Sequence, residues 1–72
     1  SGIIDFAKEH TRLEKEIARL RSDLERTEKK LQNPNFVDKA PPAVVQKEQD
    51  KLTAAQAALT ELASQLRKIQ AL

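Results

Sequence analysis

Residues 32–42 read Gln32-Asn33-Pro34-Asn35-Phe36-Val37-Asp38-Lys39-Ala40-Pro41-Pro42, the one stretch of a 72-residue chain where helical patterning stops. Pro34 lacks the N–H that a continuing helix needs, and Asn33 tolerates the left-handed backbone that closes one. Pro41 and Pro42 suit a first helical turn, whose N–H groups have no intrahelical partner. The stretch therefore predicts a stop near residue 32, a loop over 33–41 and a restart near 42. A connection of about nine residues makes sequential helices antiparallel neighbours.

Outward on both sides, apolar residues recur with 3-4 spacing. Before the loop, one seam position takes Ile3, His10, Ile17, Leu24 and Leu31, and the other takes Phe6, Leu13, Leu20 and Thr27. After it, the seam reads Val45, Leu52, Leu59 and Leu66, alternating with Glu48, Ala55, Leu62 and Ile69. Both are a/d heptad repeats with a few polar intrusions. The expected fold is all-α: two long helices, about 4–32 and about 42–71, forming an antiparallel coiled-coil hairpin. The whole chain, 1–72, is then a single arm. Each helix is about 40 Å long at 1.5 Å per residue.

Composition fits this fold and narrows the function. The chain has no cysteine, tryptophan or tyrosine, one glycine and one histidine, and 33% of its residues are charged. Disulfides, thiolate metal sites and cysteine nucleophiles are excluded, and His10 stands among Glu, Lys and Thr neighbours that build no zinc site. Aromatic platforms for single-stranded nucleic acid are missing. No Ser-His-Asp set converges, and two helices enclose no catalytic pocket. No apolar run approaches the roughly 20 residues of a membrane span, and no signal-peptide core occurs, so a cytoplasmic chain is expected. By these exclusions the work of the chain is binding.

Phe36 and Val37 are apolar where a solvent loop would be polar. They fold back to cap the open end of the seam, or stand exposed to grip a partner. The middle of the second helix is rich in alanine (Ala54, Ala55, Ala57, Ala58, Ala63), which suits close helix approach and high helix propensity. It also leaves a smooth face on which another protein could dock. Glu48 falls in the seam near the loop, where it requires hydrogen bonds or a partner such as Lys30 or Lys51.

Helix 1 carries fifteen of the twenty-four charged side chains. Its face away from the seam holds Lys8, Arg12, Lys15, Arg19, Arg26 and Lys29, with Ser22 as the gap. This basic stripe runs about 30 Å, enough to span several phosphates of a nucleic acid backbone. Each of its arginines also has an acid three residues earlier: Glu9, Glu16 and Asp23. Such pairs add only a few tenths of a kcal/mol to a helix, but they explain the arginines without any ligand.

The run Lys30-Leu31-Gln32-Asn33-Pro34-Asn35-Phe36-Val37-Asp38-Lys39-Ala40-Pro41, with Val44-Val45, Glu48, Lys51 and Leu52, resembles the C-terminal coiled-coil domain of bacterial valyl-tRNA synthetases. That family's pattern is K-L-x-N-x-x-F-V-x-K-A-P-x-x-V-V-x-x-E-x-x-K-L, and every fixed position is matched. Gly2-Ile3-Ile4-Asp5 is similar to the G-(I/L)-(I/V)-D lead-in of the same arm, and Arg12-Leu13, Lys15-Glu16 and Leu20 fit its R-L-x-K-E-x-x-x-L stretch. The resemblance covers essentially the whole chain. The arm of certain ATP-binding-cassette translation factors has a related loop and binds nucleic acid, but usually lacks the A-P-x-x-V-V continuation.

The resemblance implies a non-catalytic tail of a valine–tRNA ligase. The parent enzyme would use ATP and Mg2+, in catalytic, editing and anticodon-reading domains lying upstream. The implied partners are valine-specific tRNA, met at the outer corner where its D and T loops join, and the upstream domains. No cofactor or metal is expected in the arm itself, and a monomer is expected for it. The residues expected to meet tRNA are Arg12, Lys15, Arg19 and Lys30, then Arg26, Lys29 and Lys51. Asn33, Phe36, Val37 and Pro41 are expected to shape the loop end. The competing expectation is a structural or protein-docking spacer.

Overall fold

Three helices account for nearly all of residues 5–72, the part of the chain that the computed structural model describes. Helix α1 spans Phe6–Gln32, a short α2 spans Pro34–Lys39, and α3 spans Pro42–Gln70. The expected seam position at Ile3, the Gly2-Ile3-Ile4 lead-in and a helix start at residue 4 fall outside the described residues. Asp5 is the N-cap of α1: its carboxylate accepts from the Lys8 N–H at 3.2 Å, and its carbonyl accepts from Glu9 at 3.0 Å. An acid at this place also complements the positive end of the helix dipole. Lys29 and Lys30 occupy the last turn, where cations are favoured.

The two long helices lie antiparallel in a rod of 54 × 19 × 16 Å. Two cross-helix contacts fix the register: His10 meets Gln70 at the open end, and Lys30 meets Glu48 near the turn. Counting inward at equal rise sets Leu13 level with Leu66, Ile17 with Leu62, and Leu20 with Leu59. Leu24 is then level with Ala55, Thr27 with Leu52, and Leu31 with Glu48. Every seam position expected on α1 within the described residues, except Phe6, thus finds a seam position opposite.

This register explains where the core sits. Among the described residues Leu13 and Ile17 are the buried apolar ones, at 1% and 7% exposure, and both lie level with large leucines. Leu20 and Leu24 are half-buried: Leu20 lines an open groove with Ala55 and Ala58, and Leu24 is level with the small Ala55. Phe6 falls beyond the last turn of α3 and is 48% exposed. Burying Leu13 contributes about 1.5–3 kcal/mol, so one or two layers carry much of the hairpin's stability.

The connection is more ordered than the loop expected over 33–41. Asn33 is not left-handed; its backbone is extended at φ −86°, ψ 112°, and no described residue has positive φ. Asn33 both ends α1, donating its N–H to the Lys30 carbonyl at 3.2 Å, and starts α2. Its side-chain oxygen accepts from the Asn35 N–H at 3.0 Å, and Pro34 sits in the first turn of α2. Asn followed by Pro is therefore a start signal here as much as a stop. The Ala40 N–H closes α2 on the Phe36 carbonyl, and Pro41 accepts from Val44 and Val45 to begin α3.

Candidate nucleic-acid interface

The geometry of α1 sorts its charges into rows. Lys8, Lys15 and Lys29 occupy the row directly opposite the seam, and Arg12, Arg19 and Arg26 the adjoining row on one flank. The seam-flanking row on that side holds Glu9, Glu16, Asp23 and Lys30. The other flank carries Glu14, Arg21, Glu25 and Glu28, with Thr11 and Ala18 between them. One side of α1 is thus basic at its outer rows, and the other is mainly acidic.

Each arginine of the basic stripe pairs with the acid three residues before it. Arg12 Nε donates to Glu9 at 2.6 Å, Arg19 to Glu16 at 2.9 Å, and Arg26 to Asp23 at 2.6 Å. Arg19 also reaches Asp23 at 3.6 Å, linking two of the pairs. The hydrogen bond that Arg19 donates to Glu16, aided by the carboxylate's charge, raises the Arg19 pKa above the usual guanidinium value. The acids are half-buried against the seam while the guanidinium groups extend into solvent. Exposed pairs of this kind contribute about 0–1 kcal/mol, so an incoming phosphate can displace the acid at small cost. Among the described residues, Lys8 and Lys15 form no ion pair, and Lys29 reaches Glu25 only at 3.4 Å. Lys8, Arg12 and Lys15 line a shallow depression with Ala7 and Thr11.

On the same flank an open groove of about 860 Å³ runs between α1 and α3. Its walls combine Asp23, Arg26, Thr27 and Lys30 from α1 with Glu48, Lys51 and the alanines at 54, 55 and 58 from α3. It is open because its α3 wall is built largely of the small residues Ala54, Ala55 and Ala58. At its turn-proximal end Glu48 is the buried charged residue of the described chain, at 8% exposure. One oxygen of its carboxylate takes both Lys51 at 3.4 Å and Lys30 at 3.6 Å. The Lys30 ammonium also stands 5.8 Å from the centre of the Phe36 ring, within cation–π range.

The residues singled out from sequence thus fall in two places. Arg12, Lys15, Arg19, Arg26 and Lys29 lie along the basic side of α1, while Lys30 and Lys51 come together across the hairpin at Glu48. Of the loop residues, Asn33 caps α2, Phe36 is half-buried beneath Lys30, Val37 is 37% exposed, and Pro41 receives the first N–H groups of α3. The acidic flank and the groove were not anticipated. The first was present in the heptad rows one step round from the stripe, whereas the second depends on register.

No described helix is long and apolar enough to cross a membrane. No group of three potential ligands that could hold a metal ion occurs among the described residues.

Comparison with known proteins gives a consistent result. Residues 5–70 match the family model described as valyl tRNA synthetase tRNA binding arm. A valine–tRNA ligase of Thermotoga maritima is 41% identical over 96% of this chain, and one of Syntrophotalea carbinolica is 43% identical over all of it. A third, from Carboxydothermus hydrogenoformans, is 50% identical over 72% of the chain. The chain spans 8% of the length of each of the first two relatives and 6% of the third. No solved structure matches it. With a family match over residues 5–70 on an antiparallel helical hairpin, this chain belongs to the tRNA-binding arms of valyl-tRNA synthetases.

Proposed function

We propose that this hairpin serves a cytoplasmic valine–tRNA ligase by holding the outer corner of tRNA, where the D and T loops meet, against the basic side of α1. The observation that carries this reading is the sidedness of α1. Lys8, Arg12, Lys15, Arg19, Arg26 and Lys29 share two adjacent rows over about 30 Å, while the opposite flank is acidic. Cations so placed neutralise backbone phosphates, which adds affinity and orients the RNA without reading its bases. A contact remote from the reacting centre lets binding energy set the register of the acceptor end. Aminoacylation itself, with ATP and Mg2+, belongs to domains outside this chain.

A titration of tRNA against the chain at two salt concentrations tests the proposal. Affinity should be about micromolar or weaker and fall steeply with salt. About four phosphate contacts correspond to a slope of roughly −3 in log K against log salt. Replacing Arg12, Arg19 and Arg26 with Gln should weaken binding at low salt about tenfold and make the slope shallower by about 2. Absence of binding at low salt would refute the proposal.

One set of observations favours a second reading. All three arginines are already paired with acids, as a spacer helix would need for its own stability. On that reading the triple Gln variant leaves tRNA affinity unchanged and lowers only the melting temperature.

A further inference from the structure

The turn-proximal end of the groove contains a charge arrangement that a solvent-facing helix pair does not require. Glu48 occupies a seam position level with Leu31, where an apolar residue would pack with less desolvation. Its side chain is only 11% exposed, yet the lysines it holds keep 54% and 62% of theirs in solvent. These lysines come from different helices. Both ammonium groups lie within 3.6 Å of the same Glu48 oxygen, so no more than about 7 Å separates them, a gap one phosphate can bridge with a charge-assisted bond of about 2.8 Å to each. Lys30 has a second restraint in the Phe36 ring. A lysine side chain is ordinarily free to rotate, and holding two of them in advance removes part of the ordering penalty of binding. The trio carries one net positive charge, and Arg26 lines the same groove.

We propose that Lys30 and Lys51 form a two-ammonium clamp for one RNA backbone phosphate, with Glu48 and Phe36 as positioning residues that hold the clamp open across the hairpin. The inference rests on the tRNA-binding reading and gives it a located contact. It also assigns Phe36 a role beyond filling the end of the seam, since its ring face restrains Lys30. The carboxylate stays buried beneath the lysines, while the phosphate approaches from the solvent side and meets their outward N–H groups.

The clamp makes a prediction opposite in sign to simple electrostatics. Glu48→Gln removes a negative charge, so charge balance alone would tighten RNA binding. If Glu48 positions the lysines, tRNA affinity of the chain falls about 3–10-fold, and the salt slope becomes shallower by about 0.7–0.9, the loss of one phosphate contact. Lys30→Ala and Lys51→Ala each weaken binding with a similar change of slope. The deciding comparison is Glu48→Gln in the Lys30→Ala/Lys51→Ala background, where it has no further effect. A role in folding alone would weaken both backgrounds alike. Phe36→Leu keeps an apolar cap without a ring face and supplies a second test, a loss of about threefold that appears only while Lys30 is present. Tighter binding by Glu48→Gln, or equal losses in both backgrounds, overturns the clamp while the lysine variants still report on tRNA binding. If the unsubstituted chain fails to bind tRNA at low salt, the underlying reading fails instead.

Discussion

Leu13→Ala is the substitution that best probes how this thin hairpin is held together. Leu13 is 1% exposed and lies level with Leu66, so removing its isobutyl group leaves a cavity that the facing leucine cannot fill. Buried Leu→Ala changes cost about 2–5 kcal/mol, and a chain of this size rarely has more than about 3–5 kcal/mol of core stabilisation. A loss near 3 kcal/mol lowers the melting temperature by roughly 12–24 °C, at about 4–8 °C per kcal/mol for a domain of this length. Leu24 is the internal comparison. It is half-buried and level with the small Ala55, so it has less to lose than Leu13. Leu24→Ala should therefore cost about 1–1.5 kcal/mol, because its transfer term is partial. Thermal melts followed by circular dichroism at 222 nm, repeated at two protein concentrations to expose self-association, give the ratio directly. Equal losses at the two positions would refute the register.

Three further outcomes follow from the same structure. His10 occupies a seam position level with Ile69 and spends its ring nitrogens on Glu14 at 2.9 Å and Gln70 at 3.3 Å. His10→Leu adds apolar burial at that layer, and the melting temperature should rise by about 4–8 °C, corresponding to about 1 kcal/mol. Asn33→Ala removes the cap of α2, a loss of about 1 kcal/mol, visible as a comparable fall in melting temperature with the salt slope of tRNA binding unchanged. Glu28→Lys on the acidic flank lies away from the proposed interface, so tRNA affinity should change less than twofold when measured at about 0.15 M salt, where exposed charges are screened beyond about 8 Å.

Much of the fold was legible because heptad spacing is a local signal and the chain carries it on both sides of a proline-bounded turn. The pairs Glu9–Arg12, Glu16–Arg19 and Asp23–Arg26 were equally legible, since i,i+3 spacing brings their side chains together on any helix. Glu48 could be placed beside Lys30 or Lys51 from sequence; the structure has it holding both. What sequence did not disclose is non-local. The half-exposure of Leu20 and Leu24 depends on which residues of α3 lie opposite, and alternating bulky layers permit more than one pairing. The contacts His10–Gln70 and Lys30–Glu48 select one of them. α2 was missed for a different reason: Asn33-Pro34 is as good a helix start as a helix stop, and six residues carry too little periodicity to decide between them.

The function proposed for the hairpin turns on which side of α1 meets RNA. Titrating unlabelled tRNA into the 15N-labelled chain and following backbone amide shifts tests this residue by residue. The predicted result is a contiguous set of perturbations along Lys8, Arg12, Lys15, Arg19, Arg26 and Lys29, continuing over the groove to Lys30 and Lys51 and fading with added salt. Perturbations concentrated instead at Glu14, Ala18, Arg21 and Glu25 would contradict it.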